Sequence, residues 1–383
     1  MANRPAHVRD EFERDLDASW GKVADATVDG TARATHWNNW CAWCTQFHFD
    51  KFLADVPQAQ HIHVLMAFAA RVRSGAFGQG RQIGSQSVAT ALRHVAQAFV
   101  LASHPDPRGH RGHELGLAFT RLYSSYKNED PAPRPQLALP ISVFQDIMQH
   151  EGASADARHR AAADLVVIAF FFLLRVGEYT PPARNRRTRT TQIRRKDMQF
   201  WKMQPNGLAC RLSHMATLDT LLQADAVTIT LDNQKNGQRD ATLHHDSLPT
   251  NPLCPVQAAA RRFVQARTCD PTNPNALISL YAPQKHVSAK LMGDVIQQGA
   301  VRSMIWLHGY DLTRIGPHSL RASGAMQLAL NGVSDSMIQK LGRWSSLTWL
   351  QYLHGQISCL TRGISGRMAT PVLYYNIGTR AED

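Results

Sequence analysis

Residues 317–330 read PHSLRASGAMQLAL, and this stretch decides how the rest of the chain is understood. Its spacing predicts a helix over 319–330, ended by Asn331-Gly332. His318 stands three residues ahead of Arg321, one helical turn, so both side chains are able to address a single anion. A His-x-x-Arg pair is common by chance and on its own is more often structural. Its meaning depends on what the chain carries around it.

Working outward, the chain of 383 residues is too long for one ordinary core, and two domains are expected. An apolar fraction of 44% suits a globular protein, and the longest apolar run, 165–174, is too short to span a bilayer. The N-terminus mixes charges of both signs without an apolar run, so no secretory signal is expected and the protein is read as intracellular, without a membrane partner. Six cysteines are scattered and read as reduced. The lone CAWC of Cys41 and Cys44 lacks a second ligand pair at zinc spacing, so no metal is expected. The net charge is +12 and arginine far outnumbers lysine, which makes nucleic acid the first partner to consider and a merely solvated basic surface the alternative.

Residues 1–30 read as an N-terminal extension, and 31–127 as a helical domain of about four helices. One of these, SQSVATALRHVAQAFVLA, sets Val88, Leu92, Val95 and Phe99 on one stripe behind Ser85 as N-cap, with Arg93 on another face. Prolines at 131, 133 and 135 make 128–139 an extended linker. A second domain, 140–356, opens with a helix at Pro140 and a long buried helix over 155–175. AVTITL (226–231) and RDATLHH (239–245) then form a hairpin around NQKNG, and helices follow from Cys254 onward. Residues 357–383 form a C-terminal tail. The fold class is mostly α with a small antiparallel sheet.

Three further pieces surround the His318/Arg321 pair. LLRVGEY (173–179) puts Arg175 at the polar end of a very apolar helix, where it needs a compensating partner, and Glu178 lies one turn on. Lys235 sits in the hairpin turn. LGRWSSLTWLQYLH (341–354) carries Tyr352 on a short amphipathic segment, where a packed aromatic would be the plain interpretation.

In this order the pieces resemble the tyrosine recombinase (phage integrase) family over about residues 140 to 355, and the helical region before the linker resembles, more weakly, the family's core-binding domain. The resemblance makes Arg175 the first arginine, Glu178 its acidic companion, Lys235 the hairpin lysine, His318 and Arg321 the central pair and Tyr352 the nucleophile. One position departs from the usual Gly-His. Counting nine back from Tyr352 gives Arg343, whereas the family's tryptophan substitution favours Trp344 with a one-residue gap. Trp344 is preferred, because its indole N–H can donate to a phosphate oxygen, and Arg343 is then expected to be a DNA-backbone contact or a surface residue.

The resemblance implies a site-specific recombinase or integrase, such as mobile elements carry, that cuts and rejoins double-stranded DNA through a covalent 3′-phosphotyrosine. It implies no metal, cofactor, ATP or small-molecule substrate, and a homo-tetramer on two duplexes. The chemistry accounts for the residue types. Guanidinium forks bind the non-bridging oxygens as charge builds, His318 accepts or orients the tyrosine proton, and Lys235 protonates the leaving 5′ oxygen. The basic run 183–196, with Arg184, Arg186, Arg187, Arg189, Arg194, Arg195 and Lys196, is expected to grip DNA backbone, and Arg93 to contribute from the first domain. Two alternatives share the pattern: a type IB topoisomerase, and a recombinase-derived DNA-binding protein without activity.

Overall fold

The structure is a computed structural model that describes residues 30–109, 116–132, 134, 136–182, 190–233, 239–347, 349–350 and 364–369, with short pieces between 5 and 19. The chain divides into two compact units, Met1–Pro133 and Arg134–Asp383, so the division falls inside the proline-rich stretch. Among the described residues no helix is long and apolar enough to cross a membrane.

The first unit is built on α1 (Gly30–Gln46), α2 (His61–Arg73), α3 (Ser85–Leu101) and α4 (Leu117–Glu129). All four residues of the anticipated α3 stripe are buried, while Arg93 is exposed. They meet an aromatic core in which Trp40 crosses Phe68 edge-on at 5.0 Å and Phe99 at 6.0 Å. The Trp40 indole N–H donates to the Lys51 carbonyl at 2.8 Å, so the ring can be buried with its polar atom satisfied. Ser85 is not the N-cap of α3. It lies inside the first turn, and its backbone N–H donates to the Asp130 carboxylate at 2.8 Å. An acidic side chain from beyond α4 does the capping, and it also accepts from the Arg73 guanidinium.

In the second unit α5 (Ile141–His150) follows Pro140, and α6 (Ala157–Phe171) begins where the Asp156 side chain accepts from Arg158 N at 2.8 Å. Residues 161–170 of α6 are all buried, with neighbours around the whole helix, as its continuous apolar run requires. The helix is shorter than expected, however, and a four-residue α7 (Val176–Tyr179) follows after a break. The sheet has the order β2-β1-β3-β4 and is antiparallel throughout: β1 (Met198–Met203), β2 (Ala209–Arg211), β3 (Ala226–Asn233) and β4 (Arg239–Asp246). The hairpin β3/β4 is the anticipated one, registered with Ile229 opposite Leu243. A short helix, α8 (Leu218–Leu222), precedes β3. Beyond the sheet come α9 (Pro255–Cys269), the small pair β5 (Leu280–Ala282) and β6 (Lys285–His286), α10 (Ala289–Arg302), α11 (Pro317–Leu330), α12 (Asp335–Gly342) and α13 (Ile364–Ala369).

Candidate active site

Two helix ends build the site. α6 stops in a turn where Leu173 N donates to the Phe170 carbonyl at 3.4 Å and Leu174 N to the Ala169 carbonyl at 2.9 Å. This paired closure, the Schellman motif, wants a left-handed residue just past the helix, and Leu173 supplies it at φ 49°. A leucine there gives up about 1–2 kcal/mol relative to an ordinary backbone conformation. The turn frees the carbonyls of Phe172 and Leu173 for donors from elsewhere. α12 closes the same way: Arg343 N donates to the Lys340 carbonyl at 3.1 Å, Trp344 N donates to the Gln339 carbonyl at 3.0 Å, and Arg343 is left-handed at φ 56°. Glycine, the usual residue for such a position, sits one step earlier as Gly342. A Cβ there would fall 1.4 Å from Cζ3 of Trp344, so the indole lies directly on the glycine backbone.

The two turns meet through arginines. Arg343 donates to the Leu173 carbonyl at 2.8 Å and to the Glu178 carboxylate at 3.3 Å. Arg321, from α11, donates to the carbonyls of both Leu173 and Gly342, and its guanidinium lies 4.1 Å from the Trp344 ring centre. Arg175 begins α7, and Glu178 folds back to accept from its backbone N–H at 2.8 Å and its Nη1 at 3.0 Å. One carboxylate, 1% exposed, therefore holds two guanidiniums. Burial lowers the Arg343 pKa, Glu178 opposes that, and the charge of Arg175 adds to it.

The structure thus brings Arg175, Glu178, Arg321, Arg343 and Trp344 together, with His318 exposed one turn before Arg321 on α11. Arg321 is 2% exposed and Arg343 3%, whereas the Arg175 side chain keeps 22% and, among the described residues, has Glu178 as its side-chain acceptor. The expectation of Arg343 as a surface residue or backbone contact is corrected. The left-handed turn directs its side chain inward to Glu178 and the Leu173 carbonyl, so it buttresses the first arginine from beneath.

Lys235 and Tyr352 lie outside the described residues, as do Arg184, Arg186, Arg187 and Arg189. Within the rest of the basic run, Lys196 and, in the first unit, Arg93 are exposed. Arg194 instead spans Asp197 at 2.9 Å and Asp232 at 3.0 Å, and both Nη atoms of Arg195 donate to the Pro271 carbonyl at 3.2 Å. These two arginines brace the end of strand β3 and the loop at Pro271, so the run is not a uniformly open cationic surface. Tyr179, beside Glu178, is 1% exposed and burial raises its hydroxyl pKa further, which leaves it without a nucleophile's access or ionisation.

Residue typing missed the acceptors that organise the cluster, the carbonyls of Phe172, Leu173 and Gly342. It also missed His245 on β4, hydrogen-bonded to the Phe171 backbone with its ring 4.6 Å from that of Phe172. Among the described residues no three His, Cys, Asp or Glu side chains gather as a metal site. A cleft of about 790 Å³ between α5, α6 and α9, floored by Asp164, Arg261 and Arg262, shares no lining residue with the arginine cluster.

No protein-family model matches the chain, and no curated protein matches it. Among solved structures it is similar to the XerH site-specific recombinase bound to palindromic difH substrate in a post-cleavage complex. The identity is 14%, covering 82% of this chain and 73% of that one, with a TM-score of 0.48. It is also similar to the Tn1549 transposon integrase in complex with a circular intermediate DNA, at 14% identity over 80% and 85% of the two chains and a TM-score of 0.44. XerA recombinase gives 12% identity over 88% and 99% and a TM-score of 0.38.

Proposed function

We propose that this chain is a site-specific recombinase of the tyrosine type, which cuts and rejoins double-stranded DNA without metal or ATP. The observation that carries this reading is the joint anchoring of three arginines around one backbone turn. Leu173 accepts from Arg321 and Arg343, and Arg175 emerges two residues later, oriented by Glu178. Two guanidiniums on one carboxylate and a third on the neighbouring turn carbonyls, with an exposed histidine one turn from Arg321, suit an anion that gains charge during reaction, as a phosphodiester under nucleophilic attack does.

In this proposal Tyr352, nine residues beyond Arg343, attacks the scissile phosphorus. The bond from its Oη to phosphorus forms while the bond from phosphorus to O5′ breaks, leaving a 3′-phosphotyrosine and a free 5′ hydroxyl. His318 accepts or orients the phenolic proton, and Lys235 delivers a proton to O5′. The partly exposed Arg175 meets the phosphate first. Arg321, whose guanidinium lies 4.1 Å from the Trp344 ring centre, joins it, and the Trp344 indole N–H donates to a phosphate oxygen. Because the link to tyrosine retains the phosphodiester's energy, a 5′ hydroxyl from the same or another strand restores the backbone by the reverse route. A homo-tetramer on two duplexes would exchange strands in this way, with Lys196, Arg93 and the arginines of 183–189 supplying phosphate contacts.

The test is incubation, in excess EDTA, with a duplex nicked a few nucleotides beyond the scissile link, so that the short piece bearing the new 5′ hydroxyl diffuses away after cleavage. The expected result is a protein–DNA adduct that survives denaturing electrophoresis. An absolute requirement for a divalent cation, with no adduct, would assign the chain to another class of DNA enzyme.

A further inference from the structure

Residues 137–139, immediately after the proline-rich stretch, lie along α11. Leu137 N donates to the Arg314 carbonyl at 2.8 Å, and Leu139 N donates to the Ser323 Oγ at 2.7 Å. Ser323 Oγ in turn donates to the Ser319 carbonyl at 2.6 Å, while Ser319 Oγ accepts from Gly316 N at 3.2 Å. Both serines are completely buried, at 0% exposure. Ala138 packs on Ala322 and Met326, and a Cβ at Gly316 would lie 2.7 Å from the Gln136 amide nitrogen, so the contact is continuous along the helix.

At 3.6 residues per turn, Ser323 points roughly 200° away from Arg321. The helix is therefore held on two sides, by Leu139 on the Ser323 side and by the carbonyls of Leu173 and Gly342 on the Arg321 side. Its third side is closed as well. A Cβ at Gly324 would come within 2.5 Å of the Phe170 carbonyl oxygen and 2.3 Å of Leu173 Cδ2. The Gly324 contact blocks approach toward α6, and the Ser323 to Leu139 bond, across the helix from Arg321, opposes rotation about the helix axis.

We propose that Ser323 is a positioning residue for Arg321, fixing the rotation of α11 through the backbone of Leu139. This rests on the proposed role of Arg321 in stabilising phosphate charge. It also makes the segment leaving the linker part of the device that aims the arginine.

The test compares single-turnover cleavage of a phosphodiester with that of a methylphosphonate at the scissile link, at saturating DNA. The methylphosphonate replaces one charged oxygen by a methyl group, so an arginine that neutralises charge matters less there. Ser323→Ala is expected to slow phosphodiester cleavage about tenfold with DNA affinity unchanged. On the methylphosphonate the defect should shrink to within about twofold, as it should for Arg321→Ala. Ser323→Thr, which retains the hydroxyl, should recover most of the rate. If the alanine variant does not fold, Ser323→Cys fills the same space with a weaker acceptor and carries the same comparison. Equal defects on the two linkages, or no defect at all, would overturn the inference while leaving Arg321 in place. If Arg321→Ala is itself not relieved by the methylphosphonate, the reading of Arg321 fails, and Ser323 loses its role with it.

Discussion

Glu178→Ala removes the carboxylate that accepts three hydrogen bonds, at 2.8 and 3.0 Å from Arg175 and 3.3 Å from Arg343. The alanine cannot be rescued by solvent, because Glu178 is 1% and Arg343 3% exposed. Breaking one side of a buried ion pair costs about 3–5 kcal/mol, since the surviving charge stays desolvated. Glu178→Gln keeps the shape and one acceptor oxygen, and exchanges charge-assisted bonds for neutral ones, a loss of roughly 1–3 kcal/mol. Urea denaturation followed by tryptophan fluorescence should show the order wild type, Gln, Ala, with the alanine midpoint lower by roughly 1–2 M. A double-mutant cycle sharpens the test. Arg343→Met removes the stranded charge, so the double variant with Glu178→Ala should be clearly more stable than the sum of the single losses predicts. If Glu178→Ala unfolds within about 0.5 kcal/mol of wild type, as a surface substitution would, the shared-carboxylate arrangement is refuted.

Lys235→Ala should slow cleavage of ordinary DNA far more than cleavage of a substrate carrying sulfur at the 5′ bridging position, because a thiolate leaves without a proton. Equal defects on the two substrates would move the acid role elsewhere, with His318 next to examine. His245 is held neutral by burial, its pKa lowered to about 4 against 6.5 when free. The unfolded chain therefore binds a proton that the folded chain does not, and this contribution to stability is full above about 6.5 and falls as the pH drops toward 4. Denaturation midpoints between pH 7 and pH 4.5 should show His245→Phe losing less stability than wild type, and parallel profiles would contradict the assignment.

What the sequence disclosed follows from which interactions are local. The β3/β4 hairpin was legible because its alternation and turn residues lie side by side in the chain. The end of α6 was not legible. The apolar run continues through Leu174, and nothing in the residue types announces that Leu173 turns left-handed; its carbonyl gains its purpose from Arg321 and Arg343, roughly 150 residues away. For the same reason Arg343 looked like a surface arginine, since its burial depends on Glu178 in another helix. The strand β1 escaped because its inward residues, Met198 and Phe200, make too short an alternation to separate from a loop. The Gly342-Arg343-Trp344 step was visible as spacing, but the reason for the glycine, an indole resting on its backbone, is a matter of packing.

The central claim is that a tyrosine becomes bonded to DNA, and that it is Tyr352 and not Tyr374 or Tyr375 in the tail. Tyr352 has the spacing from Gly342 and Arg343, and the tail tyrosines do not. The most direct measurement is peptide mapping of the trapped adduct after nuclease digestion, run beside the Tyr352→Phe variant. The expected result is the residual nucleotide on Tyr352, joined through a 3′ phosphate, and no adduct from the variant, whose DNA binding should be nearly unchanged because only a hydroxyl is lost. A nucleotide on Tyr374 or Tyr375, or ordinary cleavage by the phenylalanine variant, would contradict it.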